Sequence, residues 1–573
     1  MKTKKHNIII SSYLLLIILI VTGCSLDENL YGVATTEGFV KTEADANFVI
    51  SGVYAANQEF NAFKSSAAGL ILYSGDDFAY TGSVGTNSPG TWINRLITSS
   101  DPYVGNAWKS FYLCINRANS AMEAIDSVST ISQNVRSKIN GEMTFLRGFS
   151  YYYLVRLFGG VPISTSAIKP TDNLFKSRQP IDSVYAQIFR DFKNANAKCV
   201  KFKEQSSSEF GRATKGAAQA MLAQAYLTYA NYLDLNNRPL EAQTHYQNAV
   251  NWADSVILSN QYSLTSNYAD LFNVDKEKEA YNEVIYGIQF TRDNLTAGAG
   301  SKGSEWAYYM NPRERWSVSG YLPTGSGAGT TKLQPWFAEQ YFTGEYEGDY
   351  RAESTILTGW NGYNTSGVAY TYSTFPAIAL TPSNVQRQNM PYCGKYVDPK
   401  GLGNRNNEND LFVIRFSEVY LIKAEALNEL GQTTEAYLPF NKVRERARLA
   451  NGTIRTTPVD LQTGLDKEMF RLAVFNERGL ELVGEGQRFF DAVRMRYPNT
   501  NTTMLQWRYE TYYPTLPAAT KALPTWDNTA KIWKGGRVYT VNVKPWHVRY
   551  LLYPIPTAEL DANPNFGSQN EGW

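Results

Sequence analysis

The chain has 573 residues, with 55 Lys and Arg against 53 Asp and Glu, 43% hydrophobic and 19% charged residues, 39 Tyr, 27 Phe and 12 Trp. This composition belongs to a folded chain rather than a disordered one, and without basic clusters it offers nucleic acid no electrostatic footprint. Only three histidines occur, His6, His245 and His547, which argues against triad and zinc-hydrolase chemistry and leaves carboxylate chemistry open.

The first element is a leader. Lys2, Lys4 and Lys5 precede an apolar run from Ile8 to Val21, the layout of a secretory signal and short of the ~20 residues a spanning helix needs. A small residue is followed directly by a cysteine, and Val21-Thr22-Gly23-Cys24 resembles a bacterial lipobox, in which Cys24 is lipidated and becomes the new N-terminus. Each buried acyl methylene contributes about 0.8 kcal/mol, so several chains hold a soluble domain on a bilayer. Losing the three leader lysines leaves 52 bases against 53 acids in the mature chain. Cys114, Cys199 and Cys393 then remain, at spacings that match no metal motif, and read as small buried hydrophobes. Their disulfide state stays open.

From Thr42 to about Leu258 the pattern is mainly helical. Trp108, Phe111, Tyr112, Ile115, Ala118 and Met122 recur at three- and four-residue spacing, the apolar stripe of an amphipathic helix. Phe145, Phe149, Tyr152 and Tyr153 repeat it before Gly159-Gly160 and Pro162, a helix stop followed by a breaker. Tyr151 to Tyr153 therefore read as core packing with their hydroxyls satisfied. "AAQAMLAQAYLTYANYL" with "EAQTHYQNAVNWADSVI", and "SEVYLIKAEALNELG" with "TEAYLPFNKVRERA", each place a small-residue helix before Ala-x-x-x-aromatic, Ala242 to Tyr246 and Ala436 to Phe440. That resembles the tetratricopeptide helix pair and predicts a partial solenoid.

Between about Phe290 and Asp410 the character changes to Gly, Ser, Thr, Asn, Tyr and Trp without helical period, and a second loop-rich stretch runs from Ser74 to Tyr103. Long loops carrying aromatics are uncommon in a compact fold and usually functional. The divisions are a leader over 1–23 and one domain over 24–573. That domain has a helical scaffold over about 42–285 and 411–495, a loop-rich insertion over about 290–410, and an irregular C-terminal part over 496–573.

Five segments then match one family pattern in order: "FLRGFSYYYLVRLFGGVPI", "GRATKGAAQAMLAQAYL", "FSEVYLIKAEALNELG", "FNERGLELVGEGQRFFDAVR" and "YPIPTAELDANPNFGSQNEGW". Together they resemble the SusD/RagB family of outer-membrane nutrient-binding lipoproteins, although the tail has Glu571-Gly572-Trp573 where the family more often has Pro-Gly-Tyr. The resemblance implies a mainly α fold: four tetratricopeptide-like helix pairs carry a less regular, loop-rich ligand-binding part. It also implies a non-catalytic extracellular lid beside a SusC-like TonB-dependent β-barrel transporter, capturing oligosaccharide or, in RagB-type members, peptide. Asp27-Glu28, just after the lipobox, resembles the export signal to the outer face.

The motif around Glu477, Arg478, Glu481, Glu485, Arg488 and Asp491 reads as an ion-pair brace, with the three glutamates on one helix face. A secreted glycoside hydrolase would need two carboxyls flanking a cleft, and remains the lesser alternative. A pyranose instead asks for flat aromatic rings against its C–H faces and polar partners for its hydroxyls. The candidate binding residues lie in the two loop regions: Asp76, Asp77, Tyr80 and Trp92 in the first, Trp306, Trp316, Tyr321, Trp360 and Tyr363 in the second. Trp336 reads as helical and buried and is left out. No cofactor is called for; the many Asp and Asn residues leave calcium open, and no EF-hand loop is present.

Overall fold

The computed structural model of the protein describes residues 40–573 apart from 83–88, 170, 293–302, 313–314, 317–326, 364–368, 374, 376–384, 388–389, 399–405, 520–522 and 542. Cys24, Asp27-Glu28 and the leader lie outside the described residues, as does Tyr321.

Helix α1 (Glu43–Gln58) starts at a capping box in which Thr42 accepts from Asp45 N while the Asp45 carboxylate accepts from Thr42 N, satisfying two otherwise orphaned donors. Helix α2 (Ser66–Tyr73) is short and buried throughout. Helix α3 (Pro102–Asp126) has Pro102 at its first position and Asp101 accepting from Tyr103 N. Helix α4 (Gln133–Phe158) stops where Gly159 turns to φ 75°, a conformation a side chain would resist. Then come α5 (Ile181–Lys198), α6 (Lys215–Leu235) and α7 (Pro239–Ile257). After the loop-rich stretch follow α8 (Phe416–Glu429), α9 (Thr433–Ala447), α10 (Lys467–Leu482) and α11 (Arg488–Arg494).

These helices stack in chain order. The pairs α1/α3, α4/α5, α6/α7 and α8/α9 pack internally, each pair lies on the next, and α7 rests on α8 although 258–415 intervene. Small residues permit the close approach: Ala217, Ala218, Ala220 and Ala223 of α6 and Ala242, Ala249 and Ala253 of α7 are all buried. Trp108, Phe111, Ile115 and Ala118 of α3 are buried as their spacing predicts, as are Phe145, Phe149, Tyr152 and Tyr153 of α4. Each such ring contributes about 2–3 kcal/mol on leaving water. Tyr152 Oη shares a 2.9 Å hydrogen bond with Thr228 Oγ1, and Tyr151 Oη donates to Ser164 O at 3.0 Å. The fold is mainly α, a partial solenoid of four tetratricopeptide-like pairs.

The strands are short. Eight of the sixteen among the described residues are, in chain order, β1 (Phe78–Tyr80), β2 (Val284–Ile288), β3 (Arg315–Trp316), β4 (Thr331–Leu333), β5 (Gly359–Tyr363), β6 (Ala369–Ser373), β7 (Val385–Arg387) and β8 (Leu411–Arg415). β2 pairs antiparallel with β8, Leu411 opposite Ile288, so the chain leaves the scaffold and rejoins it at one doorway. β3, β5, β6 and β7 form a four-stranded sheet in that order, parallel only between β6 and β7.

The C-terminal part is sewn into the same core as the helices. Tyr553 Oη donates to Leu70 O at 2.9 Å, Asn570 Nδ2 donates to Phe158 O at 3.0 Å, and Trp573 Nε1 donates to Arg549 O at 2.9 Å. Among the described residues no helix is long and apolar enough to cross a membrane. Cys114, Cys199 and Cys393 are unbridged and buried.

Candidate ligand-binding site

The two loop regions singled out in the sequence meet in space. β1 from the first pairs antiparallel with β4 from the second, Tyr80 opposite Thr331, and Thr81 N extends the ladder to Thr330 O at 2.8 Å. Gln334 N donates to Asp77 O at 2.7 Å, and Leu333 N to Pro391 O at 2.9 Å. Backbone hydrogen bonds thus join three stretches of loop into one buried layer against the solenoid.

The side chains expected to face a ligand mostly turn inward, which corrects the reading of an open platform for six of them. Asp76 is fully buried; Arg488 Nε and Nη2 donate to its carboxylate at 2.5 and 3.0 Å, and Arg508 Nε lies 3.2 Å away. Burial pushes that carboxyl up, and the two guanidiniums outweigh it and hold it below its ordinary value. Asp77 is equally buried, and among the described residues no side chain donates a hydrogen bond to its carboxyl. Burial, then the adjacent Asp76 charge, push it up to about 7.

The aromatic members anchor the loops. Tyr80 is buried with its ring against Gly90, where a Cβ would stand 2.5 Å from the ring. Trp92 is 2% exposed, parallel to Tyr73 at 6.3 Å and edge-on to Tyr103 at 4.5 Å. Trp306 is 2% exposed and donates from Nε1 to Phe63 O at 2.8 Å. Trp360 is buried edge-on to Tyr392 at 5.7 Å, and Lys332 Nζ lies 3.8 Å from the Tyr392 ring centroid. A loop has few backbone hydrogen bonds, so burying a large ring is its cheapest way to gain fixed geometry. Positions 316 and 363 lie on the four-stranded sheet. Trp316 is opposite Gly362 and Tyr363 opposite Arg315 in the backbone register.

The family-motif carboxylates are closed to chemistry. Glu477, Glu481 and Glu485 do not share one helix: α10 ends at Leu482, and Glu485 sits in a turn between Gly484 and Gly486, both at positive φ. They converge nonetheless. Glu481 accepts from Arg351 at 3.0 Å, Arg415 at 3.0 Å and Arg446, while Glu485 accepts from Arg415 Nε and Lys395 Nζ, both at 2.7 Å. All three are buried with guanidiniums or an ammonium on their oxygens, unlike a hydrolase's acid pair across an open cleft. Among the described residues no cluster of three His, Cys, Asp or Glu could hold a metal ion.

One set of half-buried aromatics was missed. "QWRYETYY" brings Trp507, Arg508 and Tyr512 beside Trp336, whose Nε1 donates to Tyr513 Oη at 3.2 Å while Tyr513 Oη donates to Asp76 O at 2.6 Å. Its signal is aromatic density, the criterion applied to the two loops, here on a short helical run over 504–515.

The SusD family profile matches residues 260–573, more than half of the chain, and a profile described as starch-binding associating with outer membrane matches 34–227. The chain belongs to the SusD family. It is 29% identical over 502 residues to SusD-like protein P2 of Formosa agariphila, covering 85% of this chain and 90% of that one. It is 24% identical to the starch-binding protein SusD of Bacteroides thetaiotaomicron, over 75% of this chain and 72% of the other. A SusD homologue of known structure from Bacteroides thetaiotaomicron superposes with a TM-score of 0.75 at 23% identity, covering 94% of this chain and 98% of that chain. This last likeness is one of fold.

Proposed function

We propose that this SusD-family chain is a cell-surface lipoprotein that captures a glycan and delivers it to a SusC-like TonB-dependent outer-membrane transporter. The observation that carries the reading is the SusD-family match, and the buried β1–β4 ladder fixes two aromatic loop regions to each other on the helical support. A family profile described as starch-binding and a relative named a starch-binding protein support a carbohydrate. Aromatic rings that stay at a surface offer apolar area to the C–H faces of sugars at low entropic cost.

The chain acts by binding rather than catalysis, as its family does. Trp316, Tyr321 and Tyr363 remain proposed contacts. Cys24 is the proposed lipid attachment and Asp27-Glu28 the proposed address to the outer face. Palmitate incorporation lost in Cys24→Ser supports the anchor; a lipid-free wild-type protein overturns it.

Isothermal titration of the mature chain with maltoheptaose, laminariheptaose and xyloglucan oligosaccharides, beside casein-derived peptides, tests the ligand class. Saturable heat with any of the sugars is expected. Heat with the peptides alone would replace glycan capture by peptide capture.

A further inference from the structure

A groove of about 400 Å³ opens between Trp336 and Tyr512, lined also by Glu339, Asn476, Trp507 and Arg537. This size lies within the ~300–1,000 Å³ of small-ligand sites. Three rings stack on one another in its wall, Trp507 in the middle: Tyr497 and Trp507 have centroids 3.6 Å apart at 9°, and Trp507 and Tyr512 5.5 Å apart at 18°, leaving ring edges and outer faces toward the groove. All three are half-buried, so they keep apolar area at the surface instead of filling the core.

The floor is rigid. Arg508 lies over the Trp336 ring at 4.3 Å and is held from behind by Asp76 at 3.2 Å. One wall carries Arg537, whose Nε donates to Glu339 at 3.1 Å and whose side chain is 37% exposed. On the other side Asn476 is half-buried, and its amide has no hydrogen-bond partner among the described residues.

The charges decide what fits. Arg508 is already paired with Asp76, Arg537 with Glu339, and Glu345 with Arg444 at 3.4 Å. A phosphate finds no uncommitted cation, and a cationic ligand no uncommitted carboxylate. A fatty chain would strand the Asn476 amide. An uncharged, hydroxyl-rich molecule with flat C–H faces satisfies the rings, the amide and the outer lone pairs of Glu339 together. We propose that this groove is a further carbohydrate site, binding one or two pyranose rings of the captured glycan. The inference rests on the glycan reading given above and adds a site and its residues to it.

The test is fluorine NMR of the folded full mature chain labelled with 5-fluorotryptophan, the Trp507 resonance being assigned with Trp507→Phe. Maltoheptaose, laminariheptaose and a xyloglucan heptasaccharide are the probes, with casein-derived peptides alongside. The expected result is a saturable shift of the Trp507 resonance with whichever sugar binds, and affinity about tenfold weaker in Asn476→Ala and Trp507→Ala, the worth of one good contact of about 1.4 kcal/mol. If a sugar binds the wild type while the Trp507 resonance and both variants' affinities are unchanged, the groove is no carbohydrate site and the glycan reading stands. A Trp507 shift with the peptides alone also overturns it. If none of the three sugars binds, both readings fall together.

Discussion

Arg351 donates from Nη1 to Glu477 Oε1 at 2.7 Å across 126 positions of chain, both side chains sealed from water. The pair bolts the loop-rich insertion to helix α10. Around it Arg351, Lys395, Arg415, Arg444 and Arg446 interleave with Glu283, Asp349, Glu477, Glu481 and Glu485. Five cations meet five carboxylates, so the cluster is neutral as a whole, which makes burying it tolerable. The loops that carry the site are therefore held by charge pairing from below as well as by rings from within.

Removing one member leaves the others uncompensated. Glu481 serves Arg351, Arg415 and Arg446; burial pushes its carboxyl up and the three guanidiniums hold it well below the usual range. Glu481→Gln keeps the shape and deletes the charge, and is expected to cost about 3–5 kcal/mol, as breaking a buried pair does. Urea unfolding reads this directly, and an unchanged midpoint would show that the brace carries little of the stability.

Asp77 makes stability depend on pH. Its folded carboxyl is raised to about 7 against about 4 in the unfolded chain. A raised acid contributes stability that is whole below pH 4 and is lost as pH climbs through 7. Asp77→Asn should therefore match the wild type near pH 4 and exceed it by up to about 4 kcal/mol at pH 8. Thermal melts of the two proteins across that range check the sign; an Asn variant less stable at pH 8 would contradict it.

The burial of Trp92 separates anchoring from ligand contact. If the ring holds the first loop through Tyr73 and Tyr103, Trp92→Ala lowers stability by about 3–5 kcal/mol, seen as an earlier unfolding midpoint. A variant with wild-type stability and lost glycan affinity would return Trp92 to the binding surface.

The three described cysteines should be inert. Burial pushes the Cys114 and Cys393 thiols up to about 11 and the Cys199 thiol higher still, and the thiolate is the reactive form. Native protein should leave Ellman's reagent unreacted over an hour and release three equivalents of thiol in guanidinium. Rapid native labelling at any of them would contradict the burial.

What was legible in the sequence is what depends on near neighbours. The stripe from Trp108 to Ala118, the stop at Gly159, and the small residues of α6 and α7 each encode their own packing through spacing or size. An ion-pair brace at Glu477 and Glu481 was expected, but as a local helix network; their partners Arg351, Arg415, Arg444 and Arg446 lie 33 to 130 residues away, and Arg488 pairs with Asp76 instead. Glu485 was not placed, because Gly484 and Gly486 end the helix and its convergence with Glu481 is set by Arg415, 70 residues upstream. Asp76 finds Arg488 across 412 residues, a partnership that no local pattern announces. In the loops, aromatic content reports how much apolar area exists and not which face it turns to. Trp92 and Trp306 accordingly went inward, while Trp507, in a stretch passed over, stays half-exposed in a groove.

Affinity electrophoresis of the mature chain without its lipidated cysteine, through native gels holding starch, laminarin, xyloglucan or no polysaccharide, tests glycan capture most directly. Retardation in at least one glycan gel relative to the empty gel, relieved by the matching free oligosaccharide, is the predicted result. Equal mobility in all four gels would contradict the account.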